Sequence, residues 1–391
     1  MTAHPSTVET TRPPFWRDLR VLRAFAQVAA VAGAIFLFRW ILGNVTTNLE
    51  SVGIRTDFGF LNGPAGFQVA NSDFEPAQPV SDVILVGVRN TFALAILGIP
   101  LLTIFGVLVG VARLSPNWLV SKAATTYVET LRNIPPLLVI LFTNALILLL
   151  PRIQEAATPF GWFVISNRSI SVPWIANGSG AGTYWMVLAG TLLGAVGIWV
   201  WRTRRSDASG EPHHRVLWSG LFFIGVAVVA YLLLDDPIAL SRPELEGLVV
   251  TGGFLTLANY VTVLIALSLY TASHVAEIVR GSIQAVAKGQ VEAANALALG
   301  SFQRLRFVIL PQAFRIALPP IINQYLNFVK NTSLALAIGY AEVTTIVFQV
   351  IGNGNPAPQS IVLLMAVYLT FSLVISLIVN YVNRRIQYVV N

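Results

Sequence analysis

Apolar residues gather into eight long runs, near 24–43, 88–112, 135–151, 184–201, 216–234, 251–275, 317–340 and 360–382. Each meets or approaches the roughly 20 residues that carry a helix through a bilayer, so the pattern predicts an all-α, polytopic bundle of about eight transmembrane helices. The polar stretches between the runs alternate in charge. Residues 1–23 hold Arg12, Arg17, Arg20 and Arg23, whereas 44–87 holds Glu50, Asp57, Asp73, Glu75 and Asp82 against Arg55. Arg113, Lys122 and Arg132 mark 113–134 as cytoplasmic, and Arg202, Arg204, Arg205 and Arg215 do the same for 202–215. Asp235, Asp236, Glu244 and Glu246 mark 235–250 as outside; Arg384 and Arg385 return the tail to the inside. Short loops rich in Lys and Arg stay in the cytoplasm, and eight crossings thread these segments without conflict, with both termini inside. The chain then divides into a cytoplasmic tail 1–23, a first transmembrane helix with its periplasmic loop 24–87, and a transmembrane domain 88–391. Loops 44–87 and 152–183 are long for a compact bundle and predict small outward caps.

One connection stands apart. Gly289 to Gln312, "GQVEAANALALGSFQRLRFVILPQ", carries Glu292, Arg304 and Arg306 between two strongly apolar regions. Lys288-Gly289 predicts the stop of the helix leaving the membrane, and Val291–Leu299, rich in Ala and Leu, predicts a short helix. Gly300-Ser301 then predicts a break, Phe302–Leu310 a second amphipathic stretch, and Pro311 its end ahead of the next span. The residues alone allow two readings: an interfacial loop touching anionic headgroups, or a docking helix that seats its small-residue face in a partner's groove.

Composition narrows the class. The chain is 55% hydrophobic and 11% charged, against roughly 25% charged for soluble domains. The net charge of +7 falls in short loops, where it sets topology rather than binding nucleic acid. There is no cysteine, and the four histidines include the solvated pair His213 and His214, so neither thiol chemistry nor a metal site is expected. The run Ala24–Gly43 is too long for a signal-peptide core and is expected to remain as the first span. No G-x-x-x-x-G-K-[ST], G-x-S-x-G or H-E-x-x-H pattern occurs. The chain is therefore expected to be neither an ATPase nor another enzyme, and any energy must come from another polypeptide.

In the seventh run, Asn323, Asn327, Lys330 and Asn331 recur at spacings that stack them on one helical face, with Ser333 just beyond. Polar groups at bilayer depth are costly, so this face is a candidate pathway lining; interhelical hydrogen bonding is the alternative. Pro319-Pro320 suits the first turn of that span. Glu277 and Arg280, three apart near His274, are expected to form an ion pair bracing the segment or to mark a wet helix end. Gly106 and Gly110 offer a small face for close packing, while Asn144 and Asn259 are expected to be packing amides.

The spelling adds a family. Glu292-Ala293-Ala294, followed by Leu310-Pro311, resembles the cytoplasmic EAA loop of ABC importer permeases. "AEIVRGSIQAVAKGQVEAA" at 276–294, "LPQAFRIALPP" at 310–320, "KNTSLALAIG" at 330–339 and "ETLRNIPPLLVILF" at 129–142 are similar to the polar amino acid uptake subfamily. The resemblance covers roughly 85–150 and 250–391, a five-helix permease core. The added first span and the inserted pair 184–234 resemble the larger permease subunits of general L-amino acid importers. The resemblance implies a coupling loop over 285–312, in which Gly289, Glu292, Ala293, Ala294, Ala298, Gly300, Leu310 and Pro311 meet an ATPase, with Glu277 and Arg280 as gate or brace. It also implies alternating access that translocates polar or broad-range L-amino acids across a bacterial inner membrane. The implied partners are a second permease subunit, an ATPase dimer carrying ATP and Mg, and a periplasmic amino acid-binding protein; this chain holds no cofactor. One departure is Ala298, where the family pattern has Gly. The rival reading is an ATP-independent secondary amino acid transporter or channel, against which the spans lack a deep Asp or Glu.

Overall fold

The computed structural model describes residues 19–53, 56–70, 72–210 and 214–387; Arg12, Arg17, Arg55 and His213 lie outside them. The first helix, α1 (Leu19–Ser51), is longer than its apolar run and exposes nearly all its side chains. Helix α2 (Val80–Ala112) is 33 residues long, about 50 Å at 1.5 Å per residue. It is the central strut. Gly106 and Gly110 face the helix that carries Ala276 closely enough that a Cβ on Gly110 would lie 2.7 Å from the Ala276 carbonyl oxygen.

The connection 113–134 is not a loop. Asn117 caps a helix, α3 (Trp118–Arg132), by accepting from the amides of Leu119 and Val120. Pro135 cannot continue that helix, and the chain bends by 110° into α4 (Pro136–Leu148). Helix α4 has 13 residues, about 20 Å, which is short of a hydrocarbon core of about 30 Å. The expected third span, 135–151, is therefore a short helix set at an angle to an amphipathic one.

The outward caps contain strands, which the all-α expectation omitted. Strands β1 (Val164–Ile165) and β2 (Ser169–Val172) are followed by β3 (Trp174–Asn177). A helical hairpin, α5 (Ala181–Ser209) and α6 (Arg215–Leu233), then leads into β4 (Ile238–Ser241), β5 (Glu244–Glu246), β6 (Val249–Thr251) and β7 (Phe254–Leu257). Strands β1, β2 and β7 form one antiparallel sheet, and β3–β4 and β5–β6 form two ribbons. Gly252 and Gly253 turn the chain from β6 to β7 with positive φ of 69° and 60°, a region that favours residues without a Cβ. The sixth helix thus starts at residue 258, not 251. A second cap packs Phe60, Val69 and Phe74 onto Val80 and Val83 of α2 and Ile346 and Val350.

Helix α7 (Ala258–Gln284) is the most buried span, and the short α8 (Lys288–Ala296) follows it. The chain continues through α9 (Ser301–Arg304), one π turn at Leu305–Ile309, α10 (Leu310–Asn331) and a 3-10 segment, Thr332–Ile338. Pro311 does not end the second amphipathic stretch: the π turn precedes it, and the proline's missing N–H falls in the first turn of α10. Pro319 and Pro320 lie inside α10 rather than at its start. Helices α11 (Val343–Gly352) and α12 (Ala357–Gln387) complete the chain. Among the described residues, seven helices are long and apolar enough to cross a membrane, or eight if the bent α3–α4 pair counts as one. The main core joins Leu94 and Leu102 of α2, Ile140 of α4, Val263 and Leu267 of α7, and Phe328 of α10.

Candidate functional site

The segment expected to couple, 285–312, lies at the end of the bundle opposite the strands. Helix α7 stops at Gln284, and Lys288 and Gly289 begin α8 instead of ending the preceding helix. The extended backbone of Ala287, at ψ 132°, turns the chain between them. Gly289, Glu292 and Ala293 are exposed, and only Ala294 of α8 is buried. Its C-terminus closes with the Leu299 amide donating to Ala294 and the Ala298 amide to Asn295. That pair of bonds places Ala298 in the left-handed region at φ 55°, the position where glycine is usual. Gly300 is extended ahead of α9, and its amide donates to Gln303 Oε1 at 3.0 Å.

Side chains tie α8 to the helix that follows. The Arg304 guanidinium donates to Asn295, and Gln312 Nε2 approaches Gln290 Oε1 at 3.4 Å. Leu310 and Pro311 open α10 just beyond this clasp. Leu297 at 75% exposure and Phe302 at 70% leave an apolar rim uncovered beside α8. A short exposed helix is thus fixed to a long one and surrounded by bare apolar side chains, a surface that fits a partner's groove.

Seven residues before the end of α7 sits a charged hub. Glu277 pairs with Arg280 on its own helix and with Arg113 at the end of α2, and Arg132 of α3 lies 3.8 Å away. Arg113 also approaches Glu129 at 3.9 Å, and Arg280 donates to Gln284 at 2.6 Å. The pairing of Glu277 with Arg280 was legible from their spacing. Arg113 and Arg132 were missed as its partners because they are distant in sequence, and their position at the ends of two apolar runs was the only signal. Three helix ends therefore converge on one carboxylate, and three arginines face two carboxylates. His274 stacks against Tyr270 at 5.0 Å, outside the ion pairs.

On α10, Asn323, Asn327 and Lys330 are exposed, and Asn331 is half-buried. Among the described residues their side chains have no hydrogen-bond or ionic partner. Ile321, Phe328 and Val329 bury the opposite face, where Tyr325 and Thr103 share a 2.8 Å hydrogen bond. Ser333 lies in the 3-10 segment and donates to the Lys330 carbonyl at 2.8 Å, so it leaves the helical phase of the other four. The stripe is a polar face that this chain does not cover.

Two features escaped the sequence reading. Glu342, which lies between two apolar runs rather than within one, is fully buried. It caps α11, accepting from the Thr345 amide at 2.8 Å and the Tyr368 hydroxyl at 2.9 Å. These contacts make it a helix cap joined to α12, with its carboxyl group beside a helix N-terminus. Asn144 and Asn259, expected to be packing amides, line one cavity of about 310 Å³ with Asn167 and Arg168. Asn259 does donate to the Gly339 carbonyl, at 3.3 Å. Among the described residues, no group of three His, Cys, Asp or Glu could hold a metal ion.

Comparison with known proteins decides the family. The chain is 35% identical over 376 residues to the general L-amino acid transport system permease protein AapQ of Rhizobium johnstonii, covering 95% of this chain and 94% of that one. This chain belongs to the amino acid ABC transporter permeases. The permease is also 36% identical over 367 residues to the putative amino-acid ABC transporter permease protein YhdX of Escherichia coli, covering 93% of each. The glutamate/glutamine/aspartate/asparagine transport system permease protein BztB of Rhodobacter capsulatus matches at 35% over 381 residues, 89% of each. Residues 216–388 match the family described as binding-protein-dependent transport system inner membrane component. Among solved structures, an amino acid ABC transporter with histidines superimposes at a TM-score of 0.46, with 18% identity over 78% of this chain and 94% of the other. That score adds no weight to the assignment.

Proposed function

We propose that this permease imports polar or broad-range L-amino acids across a bacterial inner membrane as one half of a heterodimer. A separate ATPase dimer, carrying ATP and Mg, drives it, and a periplasmic binding protein delivers the substrate. The observation that carries the reading is α8: an exposed helix with an apolar rim, clasped to α9 through Asn295–Arg304 and to α10 through Gln290–Gln312. A helix held in this way transmits displacement instead of absorbing it. Closure of the ATPase dimer would shift α8, and α10 with its polar stripe would move with it. Two states of similar free energy, biased by nucleotide and substrate, then give alternating access.

The substrate class is supported by relatives named for general L-amino acids and for glutamate, glutamine, aspartate and asparagine. Orientation, with both termini cytoplasmic, rests on the distribution of Lys and Arg. Glu277, Arg280, Arg113 and Arg132 brace the base of the lever, where α2, α3 and α7 end.

The chain has no cysteine, so one can be introduced cleanly. Glu292→Cys should cross-link to a copurifying ATPase, and deletion of 289–300 should abolish amino acid uptake while leaving membrane insertion intact. Normal uptake by the deletion variant, or concentration of solute by vesicles holding this polypeptide alone, would overturn the proposal in favour of an ATP-independent carrier.

A further inference from the structure

The α5–α6 hairpin takes no part in the lever, the hub or the stripe. Its two helices have each other as their main packing partner, and both connect at the strand-bearing end through the β3–β4 ribbon. Their opposite ends therefore lie on the same side of the membrane as α8. Between the helices near that end is a cavity of about 340 Å³, lined by Leu192, Val196, Trp199, Val216, Gly220 and Phe223. The lining is apolar apart from Ser219, and Arg215 stands at its mouth.

Arg215 lies over the Trp199 ring at 5.5 Å and donates to Thr203 at 3.3 Å. Arg202 lies over Trp218 at 5.0 Å, and Arg205 over Trp201 at 5.6 Å. Arg204 adds a fourth cation, with Asp207 as the acidic residue on the same helix turns. A guanidinium stacked on an indole presents its charge at a fixed place and retains donors along its edge, the geometry that takes a phosphate. Tryptophan belongs at headgroup depth, with its ring against acyl chains and its polar edge toward water. An apolar groove that ends in a fixed arginine matches one ligand in both halves.

We propose that the α5–α6 hairpin is a binding site for one anionic phospholipid of the leaflet on the α8 side. One acyl chain occupies the groove along Leu192, Val196 and Gly220, and the phosphate rests on Arg215 at its mouth. A basic pocket between transmembrane helices is the arrangement that selects anionic headgroups over zwitterionic ones.

The test uses the full-length permease, purified in mild detergent and examined by native mass spectrometry with added dioleoyl phosphatidylglycerol or dioleoyl phosphatidylcholine. One phosphatidylglycerol should be retained in preference to phosphatidylcholine. Arg215→Gln should lower its affinity about fivefold. Gly220→Leu probes the groove separately. A Cβ at Gly220 meets nothing within 4 Å, so the larger side chain fills the groove without a backbone clash and should block retention while Arg215 remains. Excess inorganic phosphate should leave the bound lipid in place. Equal retention of the two lipids, full retention by Gly220→Leu, or displacement by phosphate would each overturn the proposal. So would a cross-link from Val216→Cys to a second permease subunit, which would make the groove a protein interface.

Discussion

At the scale of single residues, Ala298 holds a conformation that its side chain opposes. The two bonds closing α8 need a left-handed residue there, and a Cβ in that region costs roughly 1–2 kcal/mol. Ala298→Gly removes the strain but restores freedom to the unfolded chain worth about 0.4–1 kcal/mol, leaving a net gain of about 0.5–1 kcal/mol. Hydrogen exchange of the Leu299 amide should slow correspondingly, and an unchanged or faster rate would refute the account. Glu277 makes the opposite case. Glu277→Gln leaves Arg113, nearly buried, without its carboxylate partner, which should cost about 1–3 kcal/mol given that the hub is partly solvated. Thermal melting in detergent should fall, and adding Arg113→Gln should recover part of the loss. A double variant as unstable as the sum of the two singles would show that the pair contributes nothing. The sequence showed both residues clearly. It did not show the left-handed turn, because φ follows from how the bonds close, nor that Arg113 and Arg132 converge on Glu277, because only folding brings three helix ends together.

At the scale of elements, the apolar runs located each of the long helices, but their bounds only for α6 and α12: α1, α2, α5 and α7 extend well past one end of their runs, and α10 begins earlier than its own. The third run failed for a local reason: Pro135 and Pro136 break it from an amphipathic α3 whose polar residues had read as a loop. Residues 251–257 failed for another. They are apolar enough to extend a span, but the Gly252-Gly253 turn commits them to strands. The close pairing of α2 with α7 was foreshadowed by Gly106 and Gly110, and it gives a sharp test. A methyl on Gly110 would meet a backbone carbonyl that cannot rotate aside, so Gly110→Ala should destabilise the permease by about 1–3 kcal/mol. Gly190→Ala in α5, where a Cβ meets nothing within 4 Å, should be neutral or stabilising by up to about 1 kcal/mol. Equal melting temperatures for these two variants would show that the α2–α7 contact is not closely packed.

At the scale of the whole molecule, the polar stripe supports the proposal that one chain is an incomplete transporter. Asn323, Asn327 and Lys330 face away from the core that buries Phe328 and Val329, at a depth where a charge against lipid costs several kcal/mol. Water or a second subunit must cover that face in the assembled complex, whereas the exposed apolar face of α1, including Phe36, is suited to lipid. The two surfaces should therefore differ in chemistry. Asn327→Cys should react with a membrane-impermeant maleimide in the assembled transporter, and that reaction should change when ATP is added, while Phe36→Cys should stay unreactive. Lys330→Ala should lower uptake on the order of tenfold, the loss of about 1.4 kcal/mol of stabilisation along the transport path, without reducing copurification of the ATPase. The pair of measurements separates the possibilities: a stripe that only packs against a neighbour would resist the maleimide in every nucleotide state, and its lysine could be removed with uptake unchanged.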